Sequence, residues 1–118
     1  LSAGGAWAQD VLGVWKTEAN DEGSYLEVEI QPCGANLCGT IIAAKNKEGV
    51  ADATYENLGK GIIFDMVPDG ENKWDDGEIW APDDDKRYSS NMALQGDVLE
   101  VEGCVFFICR GQSWTRAN

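Results

Sequence analysis

The chain has 118 residues, with 9 Lys+Arg against 21 Asp+Glu, no histidine, a net charge of −12 and 43% hydrophobic content, which fits one acidic domain with a single core. The missing histidine excludes Ser-His-Asp and Cys-His nucleophile pairs, His-ligated zinc and the commonest general base near neutral pH. The acidity excludes nucleic acid and anionic lipid head groups as expected partners, because only Lys86 and Arg87 are adjacent basic residues.

In chain order, Leu1 to Ala8 is small and apolar and closes with Ala6-Trp7-Ala8 ahead of Gln9-Asp10, an A-x-A pattern. The expectation is that residues 1–10 are a signal-peptide remnant cleaved after Ala8, or else a flexible arm, ahead of one domain over 11–118. No stretch approaches the ~20 consecutive apolar residues of a membrane span. From residue 13 onward Gly, Asn and Asp punctuate the chain at roughly strand-length intervals, and apolar residues alternate with polar ones between them. In Ser24 to Gln31, Leu26, Val28 and Ile30 take one face while Tyr25, Glu27, Glu29 and Gln31 take the other. The pattern predicts strands at about 13–18, 24–31, 38–44, 61–67, 73–80, 86–94, 97–103 and 109–116. Residues 45–60 are too polar and too long for a hairpin, and a short helical turn is one expectation there.

Strand five holds an ambiguity of parity: Trp74, Asp76, Glu78 and Trp80 share one face in a regular strand, so inward tryptophans would carry two carboxylates with them. A bulge at Gly77 that resets the register is the preferred reading. On strand six Tyr88, Ser90, Met92 and Leu94 share a face. Asp83-Asp84-Asp85 reads as a solvated turn tip, since the D-x-D-x-D-G calcium spacing is absent. Val105-Phe106-Phe107-Ile108 is apolar where a hairpin tip should be polar. It is expected either to fold over the barrel mouth as a lid, the favoured reading, or to form an exposed patch for a protein partner or homodimer.

Cys33, Cys38, Cys104 and Cys109 form two pairs of identical i, i+5 spacing. That spacing suits neither a metal site nor a redox Cys-x-x-Cys, and it suits a disulfide across each of two hairpins. Four free thiols in a cytosolic protein are the alternative. Eight short antiparallel strands predict an all-β closed up-and-down barrel, because closure removes exposed edges, with a two-sheet sandwich as the runner-up. In that order the turns after strands two and seven lie at opposite ends, which favours local pairs 33–38 and 104–109. The disulfides and the A-x-A pattern together predict a periplasmic or secreted protein.

Gly13-Val14-Trp15 and Trp114-Thr115-Arg116 resemble the G-x-W and late Arg of lipocalin-type (calycin) barrels. With Trp15 to Glu18, Cys33-Gly34, Leu37-Cys38-Gly39, Lys73-Trp74, Gly77 to Pro82, Lys86-Arg87-Tyr88 and Gln112 to Arg116, the ordered set is similar to the bacterial family named domain of unknown function 2147, over roughly residues 11–117. The resemblance implies a lipocalin-like barrel and an exported address, with no established activity. The chain departs from the family pattern where Asp52…Asn57 lacks the family's proline and where Ala81-Pro82 replaces its Asp-Pro.

Trp15, Arg116 and Trp114 are expected to close the barrel, a guanidinium covering an indole. Trp74, Trp80, Tyr88, Ser90, Met92, Phe106 and Phe107 are the candidate contacts for a small apolar or aromatic ligand held in the barrel or at its mouth. An eight-stranded barrel is also just narrow enough to be packed solid. The leading expectation is an exported non-enzymatic binding protein without cofactor or metal. Its rivals are a protein-binding module such as a periplasmic protease inhibitor, and a carboxylate enzyme on envelope glycans using Asp76 and Glu78, which needs both to face the cavity.

Overall fold

Alternating apolar residues give every strand one face to bury, and the structure satisfies all of these faces at once by rolling the sheet into a tube. The computed structural model describes residues 11–117, so the A-x-A pattern and the arm over 1–10 lie outside the described residues. Eight strands follow in chain order: β1 (Gly13–Lys16), β2 (Tyr25–Cys33), β3 (Asn36–Lys45), β4 (Gly61–Pro68), β5 (Lys73–Ala81), β6 (Lys86–Gln95), β7 (Val98–Val105) and β8 (Ile108–Arg116). Each pairs antiparallel with its sequence neighbours and β8 pairs with β1, forming a closed barrel. The predicted strands are therefore all present, and the sandwich alternative is not the fold. Residues 46–60 form successive turns rather than a helix, pinned by Asn46 and Asp52 side chains that accept backbone N–H bonds.

The turns divide between two ends. The β2–β3, β4–β5 and β6–β7 turns mark the lower end; residues 17–24, 46–60, 82–85 and the 106–107 tip mark the upper end. Disulfides join Cys33 to Cys38 at the lower end and Cys104 to Cys109 at the upper. Both hairpins turn through only two residues, and only one disulfide links directly opposed positions. Cys104 faces Cys109, whereas Cys33 opposes Asn36 and reaches Cys38 diagonally across the ladder.

The core contains Val28, Ile30, Leu37, Ile41, Ile63, Met66, Met92, Leu99 and Val101 around three fully buried tryptophans, Trp15, Trp74 and Trp114. Each removes about 150 Å² or more of ring surface from water, on the order of several kcal/mol per indole. Arg116 lies 4.1 Å over the Trp15 ring and donates to the Leu12 carbonyl, while the Trp15 indole donates to the Val11 carbonyl. This assembly caps the lower end. Tyr55, Leu58, Leu26 and Ile79 pack against the core as partly buried residues.

The seam is short. β1 and β8 share only two residue pairs, Trp15 with Arg116 and Lys16 with Thr115, after which the chain leaves β1 for the 17–24 turn. Above this seam, among the described residues, β8 has a ladder partner on the β7 side alone.

Candidate functional site

Two bulges decide which side chains leave the barrel. In β4, Asp65 has a positive φ of 52°, so that Ile63 and Met66 are both buried while Phe64 turns outward. In β5 the register shifts between Trp74 and Gly77, with Asp76 at φ 57°. Trp74 is inside before the shift; Gly77 and Ile79 are inside after it, and Glu78 and Trp80 share the outer face. The register reset expected on this strand is present, centred on Asp75 and Asp76 ahead of the glycine. Asp76 and Glu78 are consequently exposed, and Glu78 is spent on an ion pair with Arg87. The acid pair required by a glycan-cleaving enzyme does not face the cavity, which removes the geometric basis of that alternative.

The outward turn of Phe64 and Trp80 builds a depression of about 320 Å³ at the upper rim, lined by Lys60, Gly61, Phe64, Trp80, Asp85 and Arg87. Phe64 stands opposite Glu78, and Trp80 opposite Arg87, so neighbouring strands deliver the two rings and the guanidinium to one patch. The Arg87 guanidinium lies 3.7 Å from the Phe64 ring centre, held by Nε 2.9 Å from a Glu78 oxygen. Lys60 Nζ lies 5.7 Å from the Trp80 ring, and the Trp80 indole donates to Asp85 Oδ1 at 3.0 Å. Exposed cation–π contacts of this kind are worth ~0.5–1 kcal/mol each, enough to hold the rings but weak enough to rearrange around a ligand. Among the lining side chains two cations meet one carboxylate, on a protein of net charge −12. Next to it, the Tyr88 hydroxyl donates to Asp84 Oδ2 at 3.0 Å. That hydrogen bond, helped by desolvation and by the carboxylate's charge, raises the phenol above its ordinary pKa and keeps it a donor.

The candidate ligand contacts divide among three places. Trp74, Ser90 and Met92 are buried in the barrel, Ser90 donating to the Glu102 carbonyl. Gly77 packs directly against Met66 and the Phe64 carbonyl, which leaves no room for a side chain there, and a Cβ at Gly103 would press on Ile79 at 3.2 Å. Trp80 and Tyr88 stand at the upper rim. Phe106 and Phe107 form the β7–β8 tip and are 92% and 100% exposed. The lid expectation is therefore corrected: with a two-residue turn on a stapled hairpin, the tip extends the ladder outward and cannot bend back over the mouth. Phe106 adopts φ 56°, a conformation bulky residues avoid and one that costs about 1–3 kcal/mol.

Phe64, Lys60 and Asp85 were not legible as site residues. Phe64 belongs to the apolar run Gly61 to Phe64, which reads as core until the Asp65 bulge is known. Trp80 was legible as a large aromatic, and among the other lining residues Arg87 alone carried a signal, as half of the single basic pair. Cys33, Cys38 and Asp65, and Glu102, Cys104 and Cys109, also cluster closely, but their sulfurs are bonded to each other and offer no thiolate.

A family model described as "Uncharacterized protein conserved in bacteria (DUF2147)" matches residues 13–116. Among solved structures, the fold is similar to protein HP1028 from the human pathogen Helicobacter pylori, described as belonging to the lipocalin family. The TM-score is 0.71 at 14% identity, covering 92% of this chain and 83% of that one. No curated protein sequence matches. The fold is thus a lipocalin-like closed barrel of eight antiparallel strands.

Proposed function

We propose, from the premise that this chain belongs to the uncharacterized bacterial family DUF2147, that it is an exported, non-enzymatic binding protein whose ligand seats at the upper rim of the barrel. One observation carries the reading: two aromatic rings and two of the few basic side chains of a strongly acidic protein converge on a concave surface. The ligand that suits it is small and flat, with an apolar or aromatic body against Phe64 and Trp80. An accepting group, best an anionic one, meets Lys60 and the Arg87 donors left free by Glu78. Export is supported by the two disulfides, which persist in oxidising compartments, and among the described residues no helix is long and apolar enough to cross a membrane.

The test is an NMR titration of labelled protein with indole-3-acetate and with its neutral counterpart, indole-3-acetamide. The expected result is amide shifts confined to Lys60, Gly61, Phe64, Trp80 and Arg87, with the carboxylate binding several-fold tighter, and loss of that preference in Lys60→Gln. Shifts centred on Met92, Leu99 and Val101 would move the site into the barrel. No shifts at millimolar ligand would remove the groove as a binding site.

A further inference from the structure

Among the described residues, the upper half of β8 is a sheet edge with no second strand paired to it beyond β7. Ala117 donates its N–H to Val14 across the seam, and Ser113 donates its N–H to a Glu18 carboxylate oxygen at 2.7 Å. Strand periodicity of two then aims the N–H and C=O groups of Cys109 and Gly111 along the same side. Among the described residues no strand stands there, because β1 pairs with β8 only at Thr115 and Arg116. Cys109, Arg110, Gly111 and Gln112 are all exposed. Natural sheets blunt such edges with bulges, proline or covering loops; residues 108–112 contain no bulge or proline, and among the described residues no loop covers them.

Directly beyond the edge stands the aromatic tip. Phe106 occupies the first position of a two-residue hairpin loop, which calls for positive φ and ordinarily holds glycine or asparagine. The Cys104–Cys109 disulfide fixes this hairpin immediately beneath. A rigid staple, an aromatic held in a disfavoured conformation and an open ladder thus occur in one hairpin. Strain that the rest of the structure sustains at an exposed position points to contact with something outside the fold.

Charge selects the occupant. Glu18 caps Ser113, Glu100 accepts from the Ser113 hydroxyl, and Glu102 lies against Gly111, so among the described residues three carboxylates border the edge, against Arg110 on the strand and Lys16 opposite Thr115 at its foot. A second copy would bring another charge of −12 and the same acidic border, and anionic lipid would also be repelled. We propose that β8 is a strand-addition site for an extended, Lys/Arg-bearing segment of a partner protein. Main-chain bonds to Cys109 and Gly111 would give register, Phe106, Phe107 and Ile108 an apolar anchor, and Glu18, Glu100 and Glu102 selectivity for basic side chains. This surface is separate from the Lys60–Trp80 groove.

The test uses the whole oxidised chain and two synthetic nonapeptides of alternating valine and charged residue, one with lysine and one with glutamate. Amide exchange and NMR shifts are read at Cys109 and Gly111. The expected result is at least tenfold slower exchange at these two amides with the lysine peptide, and at least tenfold weaker binding of the glutamate peptide. Gly111→Pro removes an edge N–H but no β7–β8 ladder bond, its Cβ meeting the flexible Glu102 side chain at 3.3 Å, and should abolish protection of Cys109. Phe107→Ser, at a fully exposed position that cannot disturb folding, should weaken binding about tenfold and keeps the proposal testable if the proline variant misfolds. Equal binding of both peptides, an unaffected Phe107→Ser, or protection of other strands would overturn the proposal. Concentration-dependent protection of Cys109 and Gly111 without peptide would overturn it in favour of a second copy.

Discussion

Replacing Gly77 with alanine tests the register of β5 with one methyl group. A Cβ at this position would lie 2.7 Å from Met66 Sδ, 2.7 Å from the Phe64 carbonyl oxygen and 3.1 Å from Met66 Cα. The sulfur can swing away, but the carbonyl and Cα belong to the paired strand β4 and move only if the ladder shifts. Overpacking a core typically costs about 1–3 kcal/mol, and contact with backbone places this substitution near the upper value, about 3 kcal/mol. Unfolding entropy of about 2.1 cal/mol/K per residue makes each kcal/mol worth roughly 4 °C in a chain of 118 residues, so the melting temperature should fall by about 12 °C. Thermal unfolding followed by near-ultraviolet circular dichroism of the buried tryptophans measures it directly. Glu78→Ala is the matched control: its ion pair with Arg87 is half-exposed on both sides and worth at most ~1 kcal/mol. In a strand without the bulge the two results would exchange, since Glu78 would be buried and Gly77 would face water. A Gly77→Ala variant melting within about 2 °C of the parent, with Glu78→Ala strongly destabilised, would refute the bulge and return the carboxylates to the cavity.

Removing the guanidinium in Arg116→Ala should cost about 2 kcal/mol in urea unfolding, through loss of the contact over Trp15 and of the bond to the Leu12 carbonyl. Arg116→Lys should recover less than half, because a lysine lacks the flat face that stacks on the indole; full recovery would mean that charge alone closes the seam. Reduction should add four mass units, and each disulfide closes a loop only five residues in separation, so each should contribute about 2 kcal/mol in the chain-entropy picture. Unchanged unfolding after reduction would contradict this. The Thr54 hydroxyl and N–H donate to Asp52 and hold its carboxyl below the ordinary value. The ionised form is thus favoured in the folded loop, and its stabilisation is present above an unfolded aspartate's pKa of about 3.9 and lost as pH falls through the lower folded value. Asp52→Asn should abolish the corresponding pH titration of the Thr54 amide shift; an unchanged titration would assign it to another group.

Most of the fold was legible because the apolar alternation is local. Leu26, Val28 and Ile30 on β2 and Leu99 and Val101 on β7 announce buried faces without reference to the rest of the chain, and Asn, Gly and Asp mark the turns between. The cysteine spacing did the same for both disulfides, since a hairpin brings its own flanks together. The site was legible only in fragments. Trp80 and Tyr88 stood out as large aromatics, but Phe64 was concealed within an apolar run, and nothing in the sequence joins Lys60 to Arg87.

What the sequence determined by itself was every feature whose cause lies within one hairpin: strand positions, turn positions, cysteine pairing and the acidic charge. Tertiary structure decided the rest. The positive-φ bulges at Asp65 and Asp76 exist because the strands must curve and close, and each reverses the facing of every residue that follows. β1 is four residues long, and that short seam leaves the upper half of β8 without a second partner among the described residues. Neither outcome can be read from alternation, because each is fixed by the way eight strands meet in one ring.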